Sequence, residues 1–247
     1  MNQAKVLDVK IDLIDKKELL QIVKTNIEKD KKTEIFTVNN EFLVDAQTNH
    51  KFREILNSSD INIIDSTGVV WALKKQGISA ERLPGADMLL DICELCAEKK
   101  FKIFLFGSIN SAATRTANVL KLKYPNIQIA GIIENIDINP EKVDEEIVRQ
   151  INQTRPDIIF VALGAPRQEI WIRNNKSKLH TKIFMGVGGT FDYVSGLIPR
   201  APSVMRELGL EWLFRLIIQP SRYKRIYKAL VTFPSLVRKS PNNQINS

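Results

Sequence analysis

Histidine and cysteine are scarce in this 247-residue chain, which contains two of each: His50, His180, Cys93 and Cys96. The sequence also lacks an H-E-x-x-H motif and a D-x-D pair, so no common zinc or magnesium site is indicated. A Ser-His-Asp triad is excluded as well, because there is no G-x-S-x-G motif and no well-placed histidine. We therefore predict chemistry that needs neither a metal nor an organic cofactor.

The two cysteines lie in the stretch DMLLDICELCAEKK, spaced as C-E-L-C. A redox or zinc site would require a strand-to-helix turn before the pair or a second pair of ligands, and the sequence shows neither. The apolar residues around them recur at helical spacing. This pattern favours buried core cysteines in a reduced, cytosolic protein.

Long hydrophobic runs are absent, since nowhere do 18 apolar residues follow one another without a charge. We therefore expect no helix that spans a bilayer. The first 17 residues carry frequent charges and no apolar central region, so we expect no secretory signal. The composition, 44% hydrophobic and 26% charged, is that of a soluble globular protein.

The net charge of +8 is concentrated near the end of the chain. Residues 195–247 contain nine basic and two acidic side chains, whereas residues 1–194 contain 27 basic and 26 acidic ones. Because the first part is almost neutral, the C-terminal part is the place to look for contacts with an anionic partner.

Short β-branched runs alternate with amphipathic stretches along most of the chain. The apolar residues of these runs are consecutive, which is typical of strands buried on both faces, and the helical returns between them imply parallel pairing. We predict an α/β fold, a Rossmann-like and mostly parallel sheet with flanking helices. The catalytic core is predicted at residues 1–194, followed by a C-terminal helical appendage at residues 195–247. The predicted strands lie in EIFTVNN, INIIDS, FKIFLFGS, NIQIAGII, DIIFVALGAP and KIFMGVGGTFD.

Asp65 stands where the run INIIDS ends and the helix TGVVWALKK begins. Ligands bind at the carboxyl ends of the strands in such sheets, so this carboxylate lies at the expected ligand edge. Ser66 or Thr67 can cap the helix in its place. From the pattern alone, Asp65 is equally a candidate general base and a candidate structural cap.

Three other stretches place polar or flexible residues at the same edge. Gln168 follows the buried run DIIFVA, where it could bind a sugar or an amide or belong to a simple helix start. Arg82 precedes a Pro-Gly turn and is a candidate anion contact. The GVGGTFD stretch lacks the spacing of a dinucleotide fingerprint, so we favour a tight turn that lets the backbone approach a ligand.

After the proline pair Pro199 and Pro202, the pattern changes to two predicted helices separated at Pro220. The second helix should place Tyr223, Ile226, Tyr227 and Leu230 on one face, with basic residues largely elsewhere. A basic amphipathic helix with aromatic residues suits either an anionic membrane surface or a nucleic-acid backbone. The absence of a nucleic-acid reader motif favours the membrane.

Seven stretches together resemble the WecG/TagA/CpsF family of bacterial glycosyltransferases. They occur in order between about Thr37 and Arg225: TVNNEFLVDA, DSTGVVWALK, RLPGADML, FLFGS, VALGAPRQEIWI, GVGGTFDYVSGLIPRAP and GLEWLFRLIIQPSR. The C-terminal part is also similar to the branch that adds N-acetylmannosamine to a lipid-linked N-acetylglucosamine in wall teichoic acid synthesis. A family member that uses another UDP-sugar, such as UDP-glucose or UDP-N-acetylmannosaminuronic acid, is the alternative.

The resemblance implies an inverting, metal-independent transfer of N-acetylmannosamine from UDP to undecaprenyl-diphosphate-linked N-acetylglucosamine, with a β-1,4 linkage. It implies that Asp65 is the catalytic base and that Thr37, Asn39, Arg82 and Gln168 bind substrate. Because no metal would neutralise the leaving diphosphate, we predict that arginines of the C-terminal appendage do so, with these candidates: Arg215, Arg222 and Arg225.

The predicted partners are therefore the UDP-sugar, the lipid-diphosphate acceptor and the anionic inner face of the bacterial cell membrane, where the protein would bind peripherally. A second copy of the chain in a homo-oligomer is a candidate cover for any apolar patch of the core. Three alternative classes remain: a nucleic-acid-binding protein, an NAD-dependent nucleotide-sugar epimerase or dehydrogenase, and a noncatalytic membrane scaffold.

Overall fold

The computed structural model describes residues 2–199, 201–202, 204–205 and 210–240, apart from the side chains at positions 211 and 215. A six-stranded sheet forms its centre, with the strand order β4-β3-β8-β7-β5-β6, and every neighbouring pair is parallel. The predicted α/β fold with a mostly parallel sheet is thus confirmed. The six strands are β3 (Thr33–Val38), β4 (Ile61–Ile64), β5 (Lys102–Gly107), β6 (Gln128–Ile133), β7 (Ile158–Ala162) and β8 (Ile183–Gly186).

The strands are buried on both faces because their apolar residues are consecutive. Within β3, Ile35 packs into one hydrophobic cluster while Phe36 and Val38 pack into the other. The same alternation occurs in β7, where Ile159 and Phe160 belong to opposite clusters. Successive side chains of a strand point to opposite faces, so a continuous apolar run supplies two cores at once.

Helices cover both faces of the sheet. They are α1 (Lys16–Glu28), α2 (Asn40–Thr48), α3 (His50–Asn57), α4 (Thr67–Lys75), α5 (Gly85–Lys99), α6 (Ala112–Lys123), α7 (Glu145–Thr154), α8 (Arg167–Asn175) and α9 (Thr190–Val194). One cluster includes side chains from α2, α3, α4, α7 and α8, and the other includes side chains from α1, α5, α6 and α9. Asn49 separates two consecutive helices, since it ends α2 and caps α3 through its side chain.

An antiparallel hairpin precedes the first helix, formed by β1 (Asn2–Val6) and β2 (Val9–Leu13). Leu7 and Asp8 at its turn both have positive φ, as a two-residue hairpin turn of the favoured twist requires. Asp12 joins the hairpin to β4, since its Oδ2 accepts from the Asn62 backbone N–H at 2.7 Å. This hairpin was not predicted from the sequence, although its alternating apolar residues are typical of paired strands.

The C-terminal part contains α10 (Glu211–Ile218), a 3₁₀ turn (Pro220–Arg222), α11 (Tyr223–Tyr227), a π-helical turn (Lys228–Thr232) and α12 (Phe233–Lys239). The predicted break at Pro220 is therefore confirmed. We call residues 220–239 the C-terminal segment. It packs on the core through Phe233, which is fully buried with its ring 6.4 Å from that of Trp71.

In the parts of the chain that the structure describes, no helix combines the length and the apolar character needed to cross a membrane.

Candidate active site

Two adjoining cavities lie at the carboxyl edge of the sheet, where β3, β4, β7 and β8 end. Their volumes are about 400 and 270 Å³. The larger cavity is lined mainly by strand ends and helix starts, and the smaller one lies toward the C-terminal segment. Both are lined by the same six residues at their junction: Asn39, Glu41, Asp65, Arg82, Arg222 and Arg225.

Asp65 directly follows β4, and its backbone N–H donates to the Val38 carbonyl at 2.9 Å. Ser66, one of the two predicted cap residues, caps α4. The Asp65 carboxylate contacts the start of a different helix, α5. Its Oδ1 accepts from the Gly85 backbone N–H at 2.7 Å, the first residue of α5. This contact fixes the carboxylate at the wall of both cavities.

Thr37 lies near the end of β3, and Asn39 directly follows the strand. The Thr37 hydroxyl donates to the Gly186 carbonyl at 3.1 Å, which ties β3 to the end of β8. Asn39 caps α2, since its side-chain oxygen accepts from the Glu41 and Phe42 backbone N–H groups at 3.0 and 3.1 Å. The cap uses the amide oxygen, so the amide nitrogen carries the donors that Asn39 can offer to a ligand.

Arg82 reaches the same junction from the loop between α4 and α5. The next residue, Leu83, continues the pairing of β4 because its N–H donates to the Ile64 carbonyl at 2.7 Å. This bond places the Arg82 backbone beside the strand end that carries Asp65. A guanidinium at this position is suited to an anionic or hydroxyl-rich ligand.

Gln168 lines the larger cavity from the first turn of α8, but its amide is already used within the protein. Its oxygen accepts from the Gly188 N–H at 2.9 Å, and its nitrogen donates to Glu169 Oε1 at 2.7 Å. Only 1% of the residue is exposed. Gln168 therefore holds the glycine turn after β8, and one amide hydrogen remains for a ligand.

Glu169 is fully buried beside Gln168 and was not singled out from the sequence. Burial raises the pKa of its carboxyl to about 7, against a smaller opposite effect of the Gln168 hydrogen bond. A Cβ at Gly186 would lie 2.8 Å from the Gln168 amide nitrogen and 3.0 Å from Glu169 Oε1. Glycine at position 186 therefore leaves the room that these two side chains occupy.

The GVGGTFD stretch forms the tight turn that the sequence predicted, with Gly188 at a φ of 53°. Gly189 and Thr190 line the larger cavity behind it. Asp192, in the first turn of α9, is half-buried. Burial raises the pKa of its carboxyl, and the nearby charge of Arg222 acts in the opposite direction.

The C-terminal segment supplies the opposite wall. A terminal nitrogen of Arg222 would lie 3.8 Å from a Cβ at Gly189, so this guanidinium reaches the glycine turn. Arg225 is paired with Glu41 of α2, with 2.5 Å between its Nε and the carboxylate. Lys228 is paired with Asp45 of the same helix at 2.6 Å. The side chain of Arg215, the third predicted arginine, lies outside the described residues.

The smaller cavity combines the polar residues of the junction with an apolar wall. Its lining includes Trp71, Trp212 and four residues of the C-terminal segment: Ile226, Leu230, Phe233 and Pro234. Of the four residues predicted on one helix face, Ile226 and Leu230 line the cavity. Tyr223 and Tyr227 are about 60% exposed.

The family model described as "Glycosyl transferase WecG/TagA/CpsF family" matches residues 4–246. The chain belongs to this family. Curated relatives from Staphylococcus aureus, in strains MRSA252 and NCTC 8325 / PS 47, are each 32% identical over 231 residues. The match covers 91% of this chain and 89% of each relative, and both carry the name N-acetylglucosaminyldiphosphoundecaprenol N-acetyl-beta-D-mannosaminyltransferase.

The structure thus brings seven sequence-predicted residues of this glycosyltransferase to one pair of cavities: Thr37, Asn39, Asp65, Arg82, Gln168, Arg222 and Arg225. The acidic residues that pair with the C-terminal segment were not predicted from the sequence. Glu41 and Asp45 are four positions apart on a helix, a spacing that puts them on one face and could have indicated them.

Among the described residues of this glycosyltransferase, no three His, Cys, Asp or Glu side chains come together as a metal site.

Proposed function

We propose that this glycosyltransferase moves N-acetylmannosamine from UDP to undecaprenyl-diphosphate-linked N-acetylglucosamine, forming the β-1,4 linkage of the wall teichoic acid linkage unit. The names of the staphylococcal relatives support this substrate pair. The observation that carries the mechanism is the position of the Asp65 carboxylate. The Gly85 N–H fixes it at the junction of the larger cavity and the smaller one. Catalysis is proposed to be inverting and independent of a metal.

Inversion requires a single displacement and one base. The acceptor hydroxyl oxygen attacks the anomeric carbon on the face opposite UDP, and Asp65 takes the hydroxyl proton as the new bond forms. The bond from the anomeric carbon to the diphosphate oxygen breaks, and its electron pair leaves with UDP. A positioned carboxylate of this kind contributes about 10² to 10⁴-fold to the rate.

The leaving diphosphate gains negative charge, which the arginines of the C-terminal part are proposed to neutralise. Arg222 already reaches the glycine turn of the larger cavity. Arg225 lies at the junction and would exchange Glu41 for a phosphate oxygen. Guanidinium forks match phosphate geometry, so both residues and Arg215 remain candidates for this role.

The two cavities differ in a way that fits a lipid-linked acceptor. The larger one is lined by polar strand ends and suits the sugars and the diphosphate. The smaller one has the apolar wall of Trp71, Leu230 and Phe233, which suits the first carbons of a polyprenyl chain. We infer that the acceptor lies across the junction with its sugar hydroxyl toward Asp65.

The C-terminal appendage is proposed to bind the inner face of the cell membrane. Its exposed apolar side chains include Ile217, Tyr223, Tyr227 and Val231, which are 48% to 69% exposed. Lys224 lies beside them, and each basic residue near an anionic surface contributes about 1 kcal/mol. The proposed division into a catalytic core at residues 1–194 and an appendage at residues 195–247 follows from this role.

The test is UDP release from UDP-N-acetylmannosamine with a lipid-diphosphate N-acetylglucosamine acceptor, measured in the presence of EDTA. We expect release that requires the acceptor and survives EDTA. Loss of activity with EDTA, restored by a divalent cation, would contradict metal independence. The absence of release with any UDP-sugar would contradict the transferase proposal as a whole.

The donor is tested in the same assay with UDP-N-acetylglucosamine, UDP-N-acetylmannosaminuronic acid and UDP-glucose in parallel. The alternative function, transfer of another sugar, would show as a higher kcat/KM for one of these donors. We expect UDP-N-acetylmannosamine to be preferred. NMR of the product then checks the linkage and the inverted configuration.

A further inference from the structure

Asn40, the first residue of α2, contacts the turn of Asp65 and the C-terminal segment at the same time. Its side-chain oxygen accepts from the Ser66 hydroxyl at 2.7 Å, and its side-chain nitrogen donates to the Ala229 carbonyl at 3.1 Å. Ser66 is the neighbour of Asp65 and the cap of α4. One amide therefore spans the two walls of the site.

The two usual helical donors for the Ala229 carbonyl are occupied or missing. In an α-helix its partner would be the Phe233 N–H, but that group donates to the Lys228 carbonyl. In a π-helix its partner would be residue 234, which is proline and has no N–H. The π-helical turn thus presents an unmatched carbonyl toward α2, and Asn40 satisfies it.

The side chain of Asn40 is also confined sterically. A Cβ at Gly68 would collide with its amide group. The collision could not be relieved by a simple rotation, because both ends of the amide are held by hydrogen bonds. The absence of a side chain at position 68 of α4 therefore makes room for the bridge.

Other contacts also hold the C-terminal segment to α2. Glu41 and Asp45 of this helix pair with Arg225 and Lys228 through partly exposed side chains. Surface pairs of this kind contribute between about 0 and 1 kcal/mol each. They restrain the segment, whereas the bond from Asn40 to Ser66 extends that restraint to the Asp65 turn.

We propose that Asn40 is a positioning residue that couples the seating of the C-terminal segment to the orientation of Asp65. When the segment is seated, the Ala229 carbonyl holds the Asn40 nitrogen, and the amide oxygen then holds the Ser66 hydroxyl. When the segment leaves, the amide loses one anchor and the turn that carries Asp65 loosens. This inference rests on the proposed function, in which Asp65 is the base.

The test compares Asn40→Ala and Asn40→Asp with wild type by hydrogen exchange and by steady-state kinetics on a water-soluble acceptor. The aspartate variant keeps an acceptor for Ser66 but cannot donate to Ala229. The matched control is Asn49→Ala, which removes a cap from the Phe52 N–H at the start of α3.

We expect both Asn40 variants to exchange faster in residues 220–239 and to lose kcat by about 10 to 100-fold, with the donor KM changed less than about threefold. Exchange in residues 65–69 should rise for Asn40→Ala. Asn49→Ala should leave these segments and kcat unchanged. Faster exchange with a wild-type kcat would overturn the coupling, and so would a loss of kcat without faster exchange.

The exchange measurement separates this inference from the proposed function. If wild type releases no UDP, the function fails, but loosening of both segments in Asn40→Ala would still support the bridge. If wild type is active and Asn40→Ala exchanges like wild type, the bridge is wrong and the function stands. If the alanine variant does not fold, hydrogen exchange and kcat of the aspartate variant distinguish the same alternatives.

Discussion

The two walls of the site are held in different ways. On the sheet wall, Thr37 and Gln168 are buried and bonded to the backbone of β8 and its glycine turn. On the C-terminal wall, Arg225 is paired with Glu41 although their side chains are 54% and 26% exposed. Exposed pairs are weak and screened by salt. We infer that the sheet wall is rigid and that the C-terminal wall adapts to substrate or membrane.

The largest effect is expected from the sheet wall, for Asp65→Asn. The amide keeps an oxygen for the Gly85 N–H but cannot take the acceptor proton, so kcat should fall about 10³-fold. UDP release at saturating substrates measures this loss. The control, Asp91→Asn, removes a carboxylate that pairs with Lys16 on α1. A wild-type kcat for Asp65→Asn would show that Asp65 has a purely structural role.

The next effect concerns the pH dependence of stability and the buried Glu169. Burial raises its pKa to about 7 in the folded protein, above the ordinary value of 4.5. As pH rises, the Glu169 carboxyl loses its proton in the unfolded chain before it does so in the folded protein. Its contribution to the free energy of unfolding is therefore fully present below pH 4.5 and is lost as pH rises to about 7. The loss is roughly 3 kcal/mol.

Glu169→Gln should remove this dependence, because the amide has no proton to lose and still offers an oxygen to Gln168. Urea unfolding of both proteins at pH 5 and pH 8 measures the change. The variant should be the more stable protein at pH 8 by up to roughly 3 kcal/mol. Equal pH dependence in the two proteins would show that Glu169 titrates normally.

Arg222→Ala tests whether the C-terminal wall contributes to catalysis. Loss of the guanidinium at the glycine turn should lower kcat/KM about 100-fold, since removal of one preorganised charge contact costs about 10² to 10³-fold. Arg222→Lys should recover part of the loss. Arg238→Ala, in α12 and outside both cavity linings, is the control. An unchanged kcat/KM for Arg222→Ala would show that Arg222 does not bind the diphosphate.

The smallest effect is expected at the outer surface of the C-terminal segment. Tyr223→Ser combined with Tyr227→Ser should weaken binding to anionic vesicles about tenfold, because two partly exposed rings would otherwise enter the interface. Sedimentation with vesicles measures the binding. Leu122→Ser provides a matched apolar control, because Leu122 is 84% exposed on α6. Equal binding by all three proteins would place the membrane contact elsewhere.

The sheet and the position of Asp65 could be predicted because both follow from local pattern. Consecutive apolar residues require burial on two faces, and a polar residue at the end of such a run must lie at the carboxyl edge. The bond from Gly85 to Asp65 could not be predicted, because it joins residues twenty positions apart through the path of a loop.

The C-terminal segment was harder to interpret for a physical reason. Its amphipathic pattern indicated a helix, but one pattern cannot say which of several apolar residues face the core. The π-helical turn before Pro234 changes the angle between Ile226 and Phe233, and Phe233 docks on the core beside Trp71. These are tertiary effects that helical periodicity does not record.

The central claim is that the C-terminal segment completes a site whose base lies on the sheet. The most direct measurement compares the full chain with a chain that ends at Gln219, using UDP release on a water-soluble acceptor and circular dichroism to confirm folding. A soluble acceptor removes any need for the membrane. We predict that the shortened chain keeps its α/β spectrum and loses at least about 100-fold in turnover. Equal turnover by the two chains would contradict the claim.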